Sequence, residues 1–513
     1  MKFLIGIIAT FLFPALCYAN PPAVPGPKKT ARLYTSHYEN VLGTSMELKI
    51  SATSQQSSEK AESAVLHEID RLSKILSAYD ANSEFSRWMR TLNQPVAVSD
   101  ELFEVLRLFD QWRTRSGGAL DASAEVITRL WKLAAARQQL PTPEELSAAV
   151  AEVRQPHWQL DPVTRTAVHL SHAPLMLNSF TKSYIIKHAA DAARSISQVD
   201  AIIVNIGGDL VVTGDLNESI SISDPQADAE NEAPIDALQI SNKAVATSGN
   251  YRRGELINGH WYSHIVDPRS GQPAGDILSA TVVAPNATDA GALATAFNIM
   301  TIPESIRLAL SVPGAEYLII TRNRERIASP GWAALEQPLK TELPDKTVPK
   351  INKLIPHAGS KDFELVINLE INLQKEGAVK RPYIAVWVED ENHAPVRTIT
   401  VWHGSDRYMP ELKSWYLKYR GIYNTDNNFK TSVTSATRSA GKYTVKWDGK
   451  DDQGNFVKPG NYIIKIEASR EHGTYQLMRQ EISCDETPKV INLTGNIEIS
   501  ATTLDYRKKT TGN

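Results

Sequence analysis

Cysteine is almost missing from this chain. Two occur in 513 residues, and one of them, Cys17, lies within the first twenty. With that leader cut away Cys484 stands alone, which excludes an internal disulfide and leaves packing and bound ligands to stabilise the fold. An excess of one charge is missing too. Lys and Arg total 55 against 58 Asp and Glu, a net charge of −3, so no electrostatic footprint of a nucleic-acid binder is present. Long apolar runs are confined to residues 3–16. A stretch of about 15 apolar residues is short for a bilayer span. Lys2 before the run and Cys17-Tyr18-Ala19 after it complete a secretory leader, residues 1–19, cut after Ala19. Cys17 opens a lipid-anchor alternative, against which Leu16 is bulky where such cysteines usually follow a small residue. The expectation is an exported chain, most simply in a bacterial periplasm, with no membrane span after cleavage.

What is present is an ordinary globular composition, 42% hydrophobic and 22% charged, over a length that exceeds one hydrophobic core. Residues 20–31 form a proline-rich spacer. Residues 32–335 alternate helical and strand patterns, which predicts an α+β domain. Apolar residues fall on one helical face over 59–77 and 100–115, Pro143 opens a helix over 143–153, and further helices are expected over 182–197 and 288–299. Strands are expected over 201–206, 210–213, 238–240, 278–283 and 317–321. The pattern lapses into a linker over 336–360. Helical periodicity almost vanishes beyond it. Alternating runs over 363–373, 383–389, 396–402, 441–447, 461–468 and 481–484 predict an all-β sandwich over 361–490, with 491–513 left as a tail. The stretch from Gly441 to Tyr462 resembles the immunoglobulin-like repeat of flagellar-hook capping proteins, with Trp447 in the core and Asp448-Gly449 opening a turn. The same module is known behind domains of the family named below as a region of unknown function. It offers no catalytic constellation and reads as a packing or partner module.

Chemistry concentrates in residues 246–273. Thr247-Ser248-Gly249 offers hydroxyl and backbone donors without bulk, as a diphosphate cradle requires. Arg252 and Arg253 are either fork-shaped phosphate donors or a solvated surface pair. His264 sits in a strand-like run ending at Asp267-Pro268, with Gly271 and Pro273 closing a turn. Upstream, a strand run breaks at Gly207-Gly208-Asp209. The two glycines permit positive φ and close approach of a ligand to the backbone, and Asp209 can accept hydrogen bonds from an adenine or ribose. A plain strand bend is the alternative.

Ordered blocks of this kind resemble the FAD:protein FMN transferases, the ApbE-type family. Gly43-Thr44 matches its early G-T pair, and Tyr79 to Arg87 its Y-D-P-N-S-E-L-S-R block with Ala81 for proline. Gly118-Ala119-Leu120-Asp121 matches G-A-F-D, Leu130-Trp131 the L-W that follows, and Asn205 to Asp209 N-L-G-G-D. Ser263-His264-Ile265-Val266-Asp267-Pro268 matches S-H-I-x-D-P, with Ser270 where threonine is usual. The resemblance implies a transferase that moves FMN from FAD onto a Thr or Ser of an exported partner protein, with His264 as general base or phosphate orienter. It implies FAD contacts at Tyr79, Ser83, Asp121, Lys182, Gly207, Gly208, Asp209, Thr247, Ser248, Gly249, Tyr251, Arg252, Ser263, His264 and Asp267.

It also implies Mg²⁺, held in the family by the aspartate and threonine of A-D-A-x-x-T and a carbonyl from D-L-G-G-I-A-K-G-Y. Here Thr295 falls on the threonine and Thr181 supplies the carbonyl, but Gly291 occupies the aspartate position. Met176 replaces the leading aspartate of the second segment, and Asn178 and Ser179 its paired glycines. Neutral oxygens alone rarely hold Mg²⁺. Asp289 is two residues away, about 200° around a helix, and Glu125 stands where the family has glycine. These two are the candidate replacements. Three functions remain open: the transferase, a flavin-binding or interaction protein that has lost transfer, and an FAD pyrophosphatase in which water replaces the protein hydroxyl.

Overall fold

The computed structural model describes residues 30–226, 234–250, 253–337, 362–372, 381–404, 406–470 and 474–509. The leader, most of the spacer and nearly all of the linker lie outside the described residues, as do Tyr251 and Arg252.

The N-terminal half is built on an eight-stranded antiparallel sheet whose spatial order is its chain order. The strands are Arg32–Val41, Thr44–Ala52, Val199–Ile206, Asp209–Gly214, Ala244–Gly249, Ile277–Ala284, Glu316–Thr321 and Arg326–Ala328. Side chains alternate between two cores. Ile202, Val204 and Ile206 enter the larger one, while Ile203 faces a smaller cluster with Leu238, Ile240 and Trp332 on the other side. Every residue of Ile277–Ala284 is buried, Ser279 and Thr281 included, so that strand is covered on both faces.

Helices Gln55–Leu76, Asp100–Arg115, Thr181–Arg194 and Ala287–Phe297 contribute the larger core. Their starts follow local chemistry. Ser54 and Ser99 cap the first two with side-chain oxygens, and Asn286 caps the last. Helices Glu125–Arg137 and Pro143–Val153 form a separate cluster with Ile257 and Val266, and Thr142 and Glu145 close a capping box at the start of the second. Against this cluster lies a hairpin, Gly254–Ile257 with His260–Ser263, which leads directly into His264.

The C-terminal half contains a four-stranded and a five-stranded sheet. Phe363, Leu365, Ile367, Leu369 and Ile371 point alternately into a core shared with Ile384, Val386, Val388, Ile464 and Ile466, as in a two-sheet sandwich. Two features differ from the all-β expectation. Helices Lys413–Thr425 and Asn427–Val433 cover an aromatic layer of Trp387, Trp415, Tyr419 and Phe429 on the five-stranded sheet. Residues expected as a tail from 491 onward instead complete Lys489–Thr494 and supply Ile499–Lys508, which pairs with Phe363–Ile371 along its whole length. The apolar residues Ile499, Leu504 and Tyr506 bury into the sandwich core and hold that strand in place.

Candidate functional site

Two blocks distant in sequence meet at the mouth of the sheet. Gly207 and Gly208 form the turn between Val199–Ile206 and Asp209–Gly214, with φ of +58° and +92°. A Cβ on Gly207 would lie 2.7 Å from Thr44 Cγ2, so the Gly43-Thr44 pair packs on this turn. Gly208 N–H donates to Asn205 Oδ1 at 3.2 Å. The bend is therefore a tight hairpin turn, and its first function is to start a strand at Asp209.

Asp209 is buried and gathers the site around its carboxylate. Lys182 Nζ lies 3.0 Å from Oδ2, Ser183 Oγ donates to the same oxygen at 3.3 Å, and Thr247 N–H donates to Oδ1 at 3.4 Å. Sheet and helix are thus tied together where Thr181–Arg194 begins. Thr247 Oγ1 and Thr281 Oγ1 are 3.0 Å apart. Asn298 Nδ2 donates to Ser248 O at 3.0 Å, holding the Thr247-Ser248-Gly249 strand end from the helix side.

His264 stands on the hairpin side. Its Nδ1 is 2.9 Å from Arg253 O. A carbonyl only accepts, so Nδ1 carries the proton and Nε2 presents a lone pair. Desolvation of the packed side of the ring pushes its pKa below the ordinary histidine value; Arg253 and Lys132 charges act with it and the carbonyl bond against it. The residue as a whole remains exposed, so solvent moderates the effect and the imidazole is neutral at pH 7. Trp131 fixes this loop: its Nε1–H donates to Gly271 O at 2.8 Å and its ring lies 5.0 Å from that of Tyr262.

Other expected contacts have structural partners. Asp267 accepts from Arg269 N at 2.8 Å and from its guanidinium at 2.9 Å, and Arg269 reaches Glu304 at 3.0 Å. Asp121 caps Ala122–Ala124 and pairs with Arg113 at 2.7 Å. Ser83 is fully buried as the cap of Glu84–Trp88 and donates to Ser77 O at 2.6 Å. Ser263 Oγ accepts from Ile265 N–H at 3.0 Å. Tyr79 is 79% exposed and accepts from Asn178 Nδ2 at 2.8 Å, which leaves its ring face open.

The expected metal ligands do not converge on a carboxylate. Thr295 Oγ1 donates to Ser179 O at 2.9 Å, reaching the segment that carries Thr181. Thr181 opens its helix, so its carbonyl enters the helical ladder, and its hydroxyl bonds Leu177 O. Asp289 is half-buried, which pushes its pKa up, and Arg115 is the opposing charge it feels. Glu125 is paired with Arg129 at 3.2 Å. Among the described residues no group of three His, Cys, Asp or Glu side chains is placed to hold a metal ion. This donor set does not fit Mg²⁺.

Ser183, Asn298 and Arg269 escaped sequence reasoning, and Trp131 is legible only as part of the L-W block, without its contact to the His264 loop. Ser183 carried a readable signal, since it stands where the K-G-Y pattern has glycine. The others act through contacts that spacing does not reveal.

A helix-backed antiparallel sheet of this build is the fold of the ApbE class. Among solved structures, the chain is similar to the ApbE protein from Thermotoga maritima, 26% identical with a TM-score of 0.53, covering 60% of this chain and 100% of that one. The chain belongs to the ApbE family, whose model matches residues 42–319. Residues 364–501 match a second model, described as a predicted periplasmic protein domain, DUF2271. The chain is similar to the FAD:protein FMN transferase of Vibrio cholerae serotype O1, 30% identical over 246 residues, 45% of this chain and 72% of that one. It is similar to the enzyme of the same name from Treponema pallidum, 28% identical over 257 residues, 46% of this chain and 70% of that one. A third, from Escherichia coli K12, is 24% identical over 326 residues, 60% of this chain and 90% of that one.

Proposed function

We propose that this chain moves FMN from FAD onto a Thr or Ser hydroxyl of an exported partner protein. The observation that carries the reading is the tautomer of His264, whose Nδ1–H is committed to Arg253 O while Nε2 is free to accept a proton. The acceptor oxygen attacks the phosphorus that bears the flavin side of FAD. The bond from that phosphorus to the bridging oxygen breaks, AMP leaves with the bridging oxygen, and the hydroxyl proton passes to Nε2. The Thr247-Ser248-Gly249 strand end, with Lys182 beside it, is the cradle for the diphosphate. Tyr79, with one face open, is a stacking surface for a flavin or adenine ring. The leader over 1–19 and the periplasmic description of the second family model support export. On this reading, 32–335 is the catalytic unit and the region from 361 a partner module.

The test is AMP release and flavin fluorescence on a denaturing gel, using the mature chain, FAD and an extract of exported proteins as acceptor, with the Vibrio cholerae transferase alongside. The expected result is AMP together with a fluorescent band, both falling by about 10²–10⁴-fold in His264→Ala. Gly291 favours a second reading, a flavin-binding protein without transfer. FAD binding without AMP would establish it and end the first. AMP and free FMN without a labelled band would mean hydrolysis.

A further inference from the structure

We propose that Lys182, rather than a divalent cation, brings positive charge to the diphosphate in this chain. The inference rests on the FAD reading above and concerns the same site. Its basis is a contact between two helices. A Cβ built on Gly291 would fall 2.4 Å from Ser183 Oγ and 3.0 Å from Ser183 Cβ. Both residues are buried, so the serine could make room only by turning within the packed interface and giving up its bond to Asp209. The Ser183 hydroxyl occupies the volume into which any side chain at 291 would have to grow. A carboxylate at 291 and the Ser183 hydroxyl in its place beside Asp209 exclude each other.

The hydroxyl is also engaged. It donates to Asp209 Oδ2, the oxygen that lies 3.0 Å from Lys182 Nζ. The place next to Gly291 thus holds a neutral hydroxyl, and the acid bonded to that hydroxyl, Asp209, is already matched by an ammonium. Asp209 is almost fully buried, whereas the Lys182 side chain is 33% exposed, so the cation is the member of the pair that a ligand can reach. An ammonium has three N–H donors. Asp209 is the acceptor recorded for it among the described residues, and the remaining donors are available to phosphate oxygens. Asp209 orients Lys182 as a second carboxylate would orient a metal ligand, and the Gly207-Gly208 turn fixes Asp209.

The experiment is titration of the full mature chain with FAD, read by flavin fluorescence, in Mg²⁺ and in EDTA, with Mn²⁺ binding to the FAD-free protein read by electron paramagnetic resonance. The expected result is an FAD affinity that agrees within roughly twofold between Mg²⁺ and EDTA, and no Mn²⁺ bound at this site. Lys182→Met should weaken FAD by about tenfold or more, as loss of a charge-assisted contact to phosphate does, with an unchanged circular dichroism spectrum. The paired change Ser183→Gly with Gly291→Asp should acquire Mn²⁺ binding, while Gly291→Asp alone should not. About a tenfold loss of FAD affinity on adding EDTA to the unaltered chain would overturn the inference and leave the FAD reading intact. Mn²⁺ bound by the unaltered chain, or Lys182→Met binding FAD as tightly as the unaltered chain, would overturn it too. FAD bound in neither condition would overturn the functional reading and this inference with it.

Discussion

Alanine at Gly207 and alanine at Gly208 should differ, although both glycines belong to one turn. At Gly207, φ is +58°, and a Cβ in the left-handed region costs about 1–2 kcal/mol. That Cβ would also fall 2.7 Å from Thr44 Cγ2 and 3.0 Å from Thr44 Oγ1. Overpacking of this kind adds about 1–3 kcal/mol. The sum for Gly207→Ala is about 2–5 kcal/mol. At Gly208, φ is +92° and a Cβ meets nothing within 4 Å, so only the conformational cost of about 1–2 kcal/mol applies. Thr44→Ser removes Cγ2 and should recover part of the Gly207→Ala loss while leaving Gly208→Ala untouched, a coupling of about 1 kcal/mol in a double-mutant cycle. Hydrogen exchange at the amides of Val199–Ile206 and Asp209–Gly214, followed against urea, localises the effect to these strands. Equal losses for the two alanines, with no coupling to Thr44, would refute the packing argument. The pair of glycines would then owe its identity to the turn alone.

Trp131→Phe should cost about 1 kcal/mol through the lost bond to Gly271 O, and Trp131→Ala about 3–5 kcal/mol through the cavity it leaves. Both should lower kcat for AMP release more than they weaken FAD, because the loop they loosen carries His264; thermal melting and steady-state kinetics separate the two effects. The acid limb of kcat/KM should fall below pH 6.5, since the His264 pKa is lowered and the base stays deprotonated as pH drops through neutrality; a limb above 6.5 contradicts this. Asp452 makes a different pH prediction. Burial pushes its pKa up to about 6, against the opposing effects of Thr398 N–H and Arg397. A carboxyl raised in the folded state contributes stability below its ordinary value of about 4 and loses it as pH rises through about 6. Asp452→Asn keeps an acceptor for Thr398 N–H and should therefore stabilise the fold at pH 8 but not at pH 4, by about 1–2 kcal/mol after allowing for its partial hydration, read as a higher melting temperature at pH 8 alone. A uniform shift at both values would remove the carboxyl from the explanation.

Much of this fold is legible from local pattern. The helix Asp100–Arg115 and the strand Gly441–Trp447 have the bounds read from periodicity, because each has a single apolar face or a strict alternation. The first hairpin, Arg32–Ala52, was not legible, since its outer strand is largely polar in sequence and carries no strict apolar alternation. The helix Lys413–Thr425 hid in a strand-rich region. Its buried face is Trp415, Tyr419 and Tyr423, spaced four apart, yet aromatic residues favour strands and obscure that period. The site divides in the same way. His264 and its Asp267-Pro268 turn are contiguous and could be read directly. The exclusion between Gly291 and Ser183 depends on how closely two helices approach, a distance that neither segment encodes alone. Asp267 and Asp121 are the converse. Their residue types suit a ligand, but Arg269 and Arg113 already satisfy them, and a bonded acid looks no different in sequence from a free one.

The strand Ile499–Lys508 sits between Phe363–Ile371 and Lys489–Thr494, so the first and last strands of this half are direct neighbours. Completion of the four-stranded sheet must therefore wait for a segment that follows all of its other strands in the chain. Until then Phe363–Ile371 has one unpaired edge and Lys489–Thr494 has no partner strand at all. The loop that must close is long, which slows assembly. A chain stopped before Ile499 would present those bare edges to its neighbours, an invitation to aggregate that the ten-residue strand Ile499–Lys508 withdraws.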